Sequence, residues 1–109
     1  MTEEISSSKQ ELKGNNSIRQ LKSVFTPPNL VKVTFDLHEG NDHPNLSFTL
    51  KDANGEGLAQ SFIINCTDLH MDFTLHIRKL EIIFPLTLHC ATFIEDDQPI
   101  DQEDIILDR

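Results

Sequence analysis

The chain of 109 residues contains no tryptophan and no tyrosine. Those two side chains are the usual anchors of interface hot spots and the platforms on which bases and sugars stack, so a stacking surface is not expected. Basic residues are also scarce, with nine Lys and Arg against eighteen Asp and Glu and a formal net charge of −9. Such a surface repels phosphate backbones and anionic lipid headgroups, which argues against direct nucleic-acid binding and against a membrane partner. No stretch approaches the ~20 apolar residues of a membrane helix. The opening MTEEISSSKQELKGNNS lacks the apolar run of a secretory signal. The expectation is therefore a cytoplasmic protein in which its only cysteines, Cys66 and Cys90, stay reduced. The N-x-[ST] sequons at Asn15, Asn45 and Asn65 would matter only in an exported chain.

Catalytic signatures are missing as well. There is no G-x-S-x-G elbow, no phosphate-cradling glycine loop and no dinucleotide fingerprint. Neither cysteine has a second cysteine at the tight spacing of a zinc site. Cys90 falls in phase with apolar Leu86 and Leu88, which makes it a buried structural thiol rather than a nucleophile. The sequence reads as non-enzymatic and calls for no cofactor.

What the chain does contain is an apolar period of two. Val31, Val33, Phe35 and Leu37 alternate with Lys32, Thr34 and Asp36, and Leu46, Phe48 and Leu50 alternate with Ser47, Thr49 and Lys51. Leu69, Met71, Phe73, Leu75 and Ile77 alternate with His70, Asp72, Thr74, His76 and Arg78. Leu80, Ile82, Phe84, Leu86 and Leu88 continue the pattern, and Pro85 marks an edge, a bulge or a bend where the chain changes sheets. Side chains alternate between the two faces of a strand, so each run has one dry and one wet face. The prediction is an all-β fold, an antiparallel β-sandwich or small open barrel of about 6–8 short strands.

Three segments follow from charge and pattern. Residues 1–22 read as a flexible arm, with Ser8 and Glu11 as a capping box for one short helix that Gly14 would end. Ile18, Leu21, Val24 and Phe25 show rough helical spacing until TPPN at 26–29 stops it. Residues 23–94 form the domain. Residues 95–109 hold seven of the eighteen acids and read as an acidic tail, either solvated or docking through Ile105, Ile106 and Leu107 on a partner or back on the same sheet.

The stretch DANGEG, Asp52 to Gly57, matches the first, third, fifth and sixth positions of a calcium loop, but its twelfth position is Ile63 instead of a bidentate glutamate. A hairpin with a three-residue loop Ala53-Asn54-Gly55 is the better reading. It pairs Asp52 with Glu56, Leu50 with Leu58, Phe48 with Gln60 and Leu46 with Phe62, bringing Leu58, Phe62 and Ile64 to the dry side. Asp52 opposite Glu56 is a like-charge pair that a weakly bound cation would relieve.

The metal candidates are His38 and His43 in DLHEGNDH, with Asp36, Glu39 and Asp42 nearby, and His70, Asp72 and His76 on one wet strand face, with His89 as a neighbouring ligand. A polar sheet face explains these residues without a metal. The leading expectation is a protein-interaction or assembly module that binds another protein, basic in character, or its own copies as a homo-oligomer. It would do so through sheet edges and the tail residues Asp101, Glu103, Asp104, Ile105, Ile106 and Leu107. The alternatives are an acidic chaperone or nucleic-acid mimic and a metal-dependent binding module or hydrolase.

Overall fold

The computed structural model describes residues 4–8, 17–40, 43–94 and 99–108. Its strands are β1 (Glu4–Ser8), β2 (Ile18–Thr26), β3 (Leu30–Leu37), β4 (Asn45–Lys51), β5 (Gly57–Ile63), β6 (His70–His76), β7 (Leu86–Phe93) and β8 (Asp101–Leu107). They form two four-stranded antiparallel sheets, ordered β1-β2-β3-β6 and β5-β4-β7-β8. The sheets do not close into a barrel, so the fold is a sandwich. The chain crosses between sheets after β3, β5 and β6. No helix among the described residues is long and apolar enough to cross a membrane.

The alternating runs build the core as their period demands. Val31, Val33 and Phe35 from one sheet face Leu46, Phe48 and Leu50 from the other, all fully buried. Phe48 lies between two rings of the opposite sheet, with centroids 5.6 Å from Phe35 and 4.8 Å, edge-on, from Phe73. The fourth alternating run is only partly a strand. Leu86, Leu88 and Cys90 are buried in β7, whereas Leu80, Ile82 and Phe84 lie in the segment that carries the chain from β6 to β7. Phe84 stacks edge-on against Phe25 at 5.0 Å, and Leu80 is fully exposed. Pro85 stands where the chain changes sheets, after a cis peptide bond, and a second cis bond joins Pro27 to Pro28 in the β2–β3 turn.

Both ends of the chain depart from expectation. The proposed arm over 1–22 contributes β1 and the first part of β2, and Ser8 ends a strand instead of capping a helix. Glu11 and Gly14 lie outside the described residues. The three-residue spacing of Ile18 and Leu21 comes from a β-bulge. Ile18 pairs with Leu37 and Gln20 with Asp36, leaving Arg19 as the extra residue, so Ile18 and Leu21 both face the core.

The acidic segment is not a free end over residues 101–107, which form β8, paired with β7. Ile105 and Leu107 are buried opposite Leu88 and Leu86. Asp101 is nine-tenths buried, and its Oδ2 accepts the Ile18 N–H from the other sheet at 3.0 Å. Its Oδ1 accepts the N–H of Gln102 at 2.9 Å. An acid-rich strand stays in the sheet because Asp101 is bonded inward and Asp104 is turned to solvent while the apolar residues Ile105 and Leu107 keep a period of two.

The hairpin at Asp52 closes as a three-residue loop, but the strand after it runs in a different register. Asp52 donates its N–H to Glu56 O at 2.9 Å, Gly55 donates to Asp52 O at 3.0 Å, and Gly55 adopts φ +81°. Lys51 then pairs with Gly57 but Leu50 pairs with Ala59, so Leu58 is an extra residue on β5. This single bulge shifts the rest of β5 by one position. Ala59, Ser61 and Ile63 face inward opposite Leu50, Phe48 and Leu46, and Phe62 and Ile64 are left 57% and 70% exposed.

Candidate functional site

The DANGEG turn already contains its cation. Asp52 Oδ1 accepts the N–H groups of Asn54 at 2.9 Å and Glu56 at 3.0 Å. Lys79 reaches in from the β6–β7 segment and sets its Nζ 2.7 Å from Glu56 Oε2 and 3.5 Å from Asp52 Oδ2. Ala53 also donates its N–H to Ile83 O at 3.0 Å, which ties the turn to that segment. Burial pushes the Asp52 carboxyl up, but the two backbone donors and the Lys79 ammonium outweigh it and hold the group below its ordinary range. The hydrogen bond to Glu56, with the field of both carboxylates, raises Lys79 against the effect of partial burial. The like-charge pair foreseen across the strands is thus relieved by the Lys79 ammonium, which bridges the two carboxylates.

The histidines do not converge. His70 hydrogen-bonds through Nδ1 to Asp36 on the outer face of the first sheet, where Asp72 and His76 follow opposite Thr34 and Leu30. His38 shares with His70 an open cleft of about 610 Å3, lined also by Arg19, Asp36, Glu39 and Leu69. His43 is exposed beyond the end of β3, and Asp42 lies outside the described residues. His89, taken as a neighbouring ligand, belongs to the other sheet, where its Nδ1 pairs with Asp104 at 2.5 Å. Among the described residues no three His, Cys, Asp or Glu side chains are placed to hold a metal ion. Cys66 and Cys90 are both buried, and the Cys66 thiol donates to Asp68 O at 3.3 Å.

The residues expected to meet a partner divide by strand phase. Asp101, Ile105 and Leu107 are enclosed in the sandwich and Glu103 is half-buried, so an external protein meets Asp104 and Ile106.

Sheet edges offer more. β1, β6, β5 and β8 are the four edge strands. Three carry acids in their sequence, Glu4 in β1, Asp72 in β6 and Asp101, Glu103 and Asp104 in β8. Charges on an edge discourage strand addition. β5, GLAQSFI, has none, and no charged residue occurs between Glu56 and Asp68.

Among the described residues no strand pairs with the outer side of β5. The bond from Asp52 N–H to Glu56 O sets which side of β4 faces β5, and antiparallel alternation passes that role to Leu50, Phe48 and Leu46. Their partners Ala59, Ser61 and Ile63 turn their backbone groups toward β4, and Gln60 and Phe62 turn theirs outward. The two flanks of the sandwich also differ. Where β8 lies over β2, Ile18, Leu21, Ile105 and Leu107 are sealed, but beside β5 the inward residues Ile63, Met71 and Phe73 are only half-buried. The bulge at Leu58 that exposes Phe62 left no trace in the apolar pattern, whereas the missing charges were visible in the sequence.

No protein-family model matches the chain, and no curated protein or solved structure matches it at a significant level.

Proposed function

We propose that the chain is a non-enzymatic protein-interaction and assembly module that takes up an extended protein segment along the edge of β5. The observation behind this reading is that β5 alone among the edge strands lacks charge, while it presents Phe62 and Ile64 to solvent beside outward-turned backbone groups. An added strand gains affinity from main-chain hydrogen bonds and specificity from alternate side chains, and neither needs tryptophan or tyrosine. The acid-steered alternative has less support, since the structure encloses Asp101, Ile105 and Leu107 of β8 in the sandwich.

The test is selection of a random-peptide library on the immobilised chain. Extended peptides should be enriched on the wild type and bind Phe62→Lys at least about tenfold more weakly, because one covered aromatic contributes about 1.5–3 kcal/mol. If no peptides are enriched, or if those selected are indifferent to position 62, the edge is not the binding surface.

A further inference from the structure

We infer that the segment taken up at this edge is β5 of a second copy of the chain, paired antiparallel about a two-fold axis at Ser61. The inference rests on the interaction reading above and adds the occupant and the register. Charge argues for it first. Two copies of net charge −9 repel over most of their surfaces, and a contact between them is tolerable where neither presents a charge. The stretch from Gly57 to Thr67 meets that condition and coincides with an open edge. A basic partner would find nothing on this strand to attract it.

Register narrows the choice further. The backbone groups of Gln60 and Phe62 point outward, so an antiparallel copy must hydrogen-bond through residues of this same set. Centring the axis on Ser61 pairs Gln60 with Phe62 of the second copy and Leu58 with Ile64 of the second copy. Apolar Ile64, 70% exposed in one copy, then stands at the register position of Leu58, an apolar residue partly buried against its own core. An axis at Gln60 would instead set Ile64 against the other copy's Glu56, and an axis at Phe62 would require Leu58 to meet Cys66, which is buried in the β5–β6 connection. The Ser61-centred pairing is free of charge and brings the exposed Gln60, Phe62 and Ile64 to the contact. It joins the β5-β4-β7-β8 sheets of two copies into one continuous sheet, and such a two-fold contact is self-limiting.

Two signatures follow. Ser61 meets its counterpart as a non-hydrogen-bonded pair, with Cα atoms about 4.5 Å apart, within the span of a disulfide. Ser61→Cys should therefore cross-link into a dimer under mild oxidation. Ser47→Cys, on central strand β4, should not, and the buried Cys66 and Cys90 should leave the wild type uncross-linked. Self-association should also strengthen with salt, since the screening length falls from about 30 Å at ~0.01 M to about 3 Å at ~1 M and quiets the repulsion between copies. Binding of a basic partner would weaken over the same range.

The experiment is sedimentation velocity of the full chain up to millimolar concentration at both ionic strengths, with Phe62→Lys alongside and each variant shown to be folded by circular dichroism. The expected result is a monomer–dimer equilibrium that tightens with salt, weakens at least about tenfold in Phe62→Lys, and is trapped by Ser61→Cys. A monomer under all conditions, an association that loosens with salt or ignores Phe62→Lys, or equal cross-linking of Ser61→Cys and Ser47→Cys overturns the inference. Enrichment of edge-dependent peptides by a strictly monomeric chain would remove the second copy as occupant and leave the interaction reading standing.

Discussion

Ile105 and Ile106 are adjacent, chemically identical and on opposite faces of β8, so truncating each in turn tests whether the acidic segment is a strand. Ile105 is 3% exposed and opposes Leu88, whereas Ile106 is 59% exposed and opposes Thr87. Removing a buried isoleucine side chain down to alanine costs about 2–4 kcal/mol from lost transfer energy and the cavity left behind. At the exposed position only strand propensity is lost, no more than about 1 kcal/mol. An unfolding entropy of about 2.1 cal/mol/K per residue amounts to ~0.23 kcal/mol/K for this chain, so Ile105→Ala should lower Tm by about 9–17 °C and Ile106→Ala by no more than about 4 °C. The assay is thermal unfolding followed in the far-ultraviolet circular dichroism, repeated in urea to compare midpoints at constant slope. Two silent substitutions would mean that residues 101–107 are not part of the cooperative unit. The reverse order, with the larger loss in Ile106→Ala, would mean that the strand lies in another register.

Three further outcomes are expected. Asp52, held below its ordinary 3.8, contributes stability that is complete above that pH and is lost as pH falls through its lower folded value; Lys79, raised above 10.5, contributes fully below that pH and loses its share as pH climbs past the raised value. The Tm gap between the wild type and Lys79→Met should therefore be widest between those limits and shrink beyond them, and millimolar calcium should leave the wild-type Tm unchanged. Asp101→Ala should cost about 1–3 kcal/mol in urea titrations, because the buried Ile18 N–H loses its acceptor, and Asp101→Asn should recover part of that loss. Gly55→Ala should cost about 1 kcal/mol for a side chain at φ +81° although the space around it is empty, whereas Gly57→Ala, with open space and no positive φ, should be close to neutral in the same titration.

The strands easiest to read in the sequence are those with one wet and one dry face and no interruption. Val31 to Leu37, Leu46 to Leu50 and Met71 to Leu75 appear in the structure in the phase that their alternation implies. Two misreadings trace to places where one extra residue changes the phase. Arg19 gives Ile18 and Leu21 a helix-like spacing inside β2, and Leu58 reverses the faces of β5 after a loop whose length was legible. β8 was hidden for a different reason. Asp101 looks like one more solvated acid until its partner Ile18, on the other sheet, comes into view. The candidate surface follows the same logic, since a charge-free stretch is visible in the sequence but its position at an edge depends on sheet order, which is a property of the whole fold.

The bond between Ile18 and Asp101 also governs when the molecule can fold. Its partners stand 83 positions apart, and β8 covers the flank of β2. During synthesis β2 leaves the ribosome long before the strand that will shield it has been made. Until residue 107 is free of the exit tunnel, Leu21 and its neighbours on that flank lack their cover, and the first sheet must wait. Closing so distant a contact places folding in the slow range of non-local β topologies, about milliseconds to seconds. Shortening the chain before β8 should therefore stall folding at its last step instead of merely trimming a charged end.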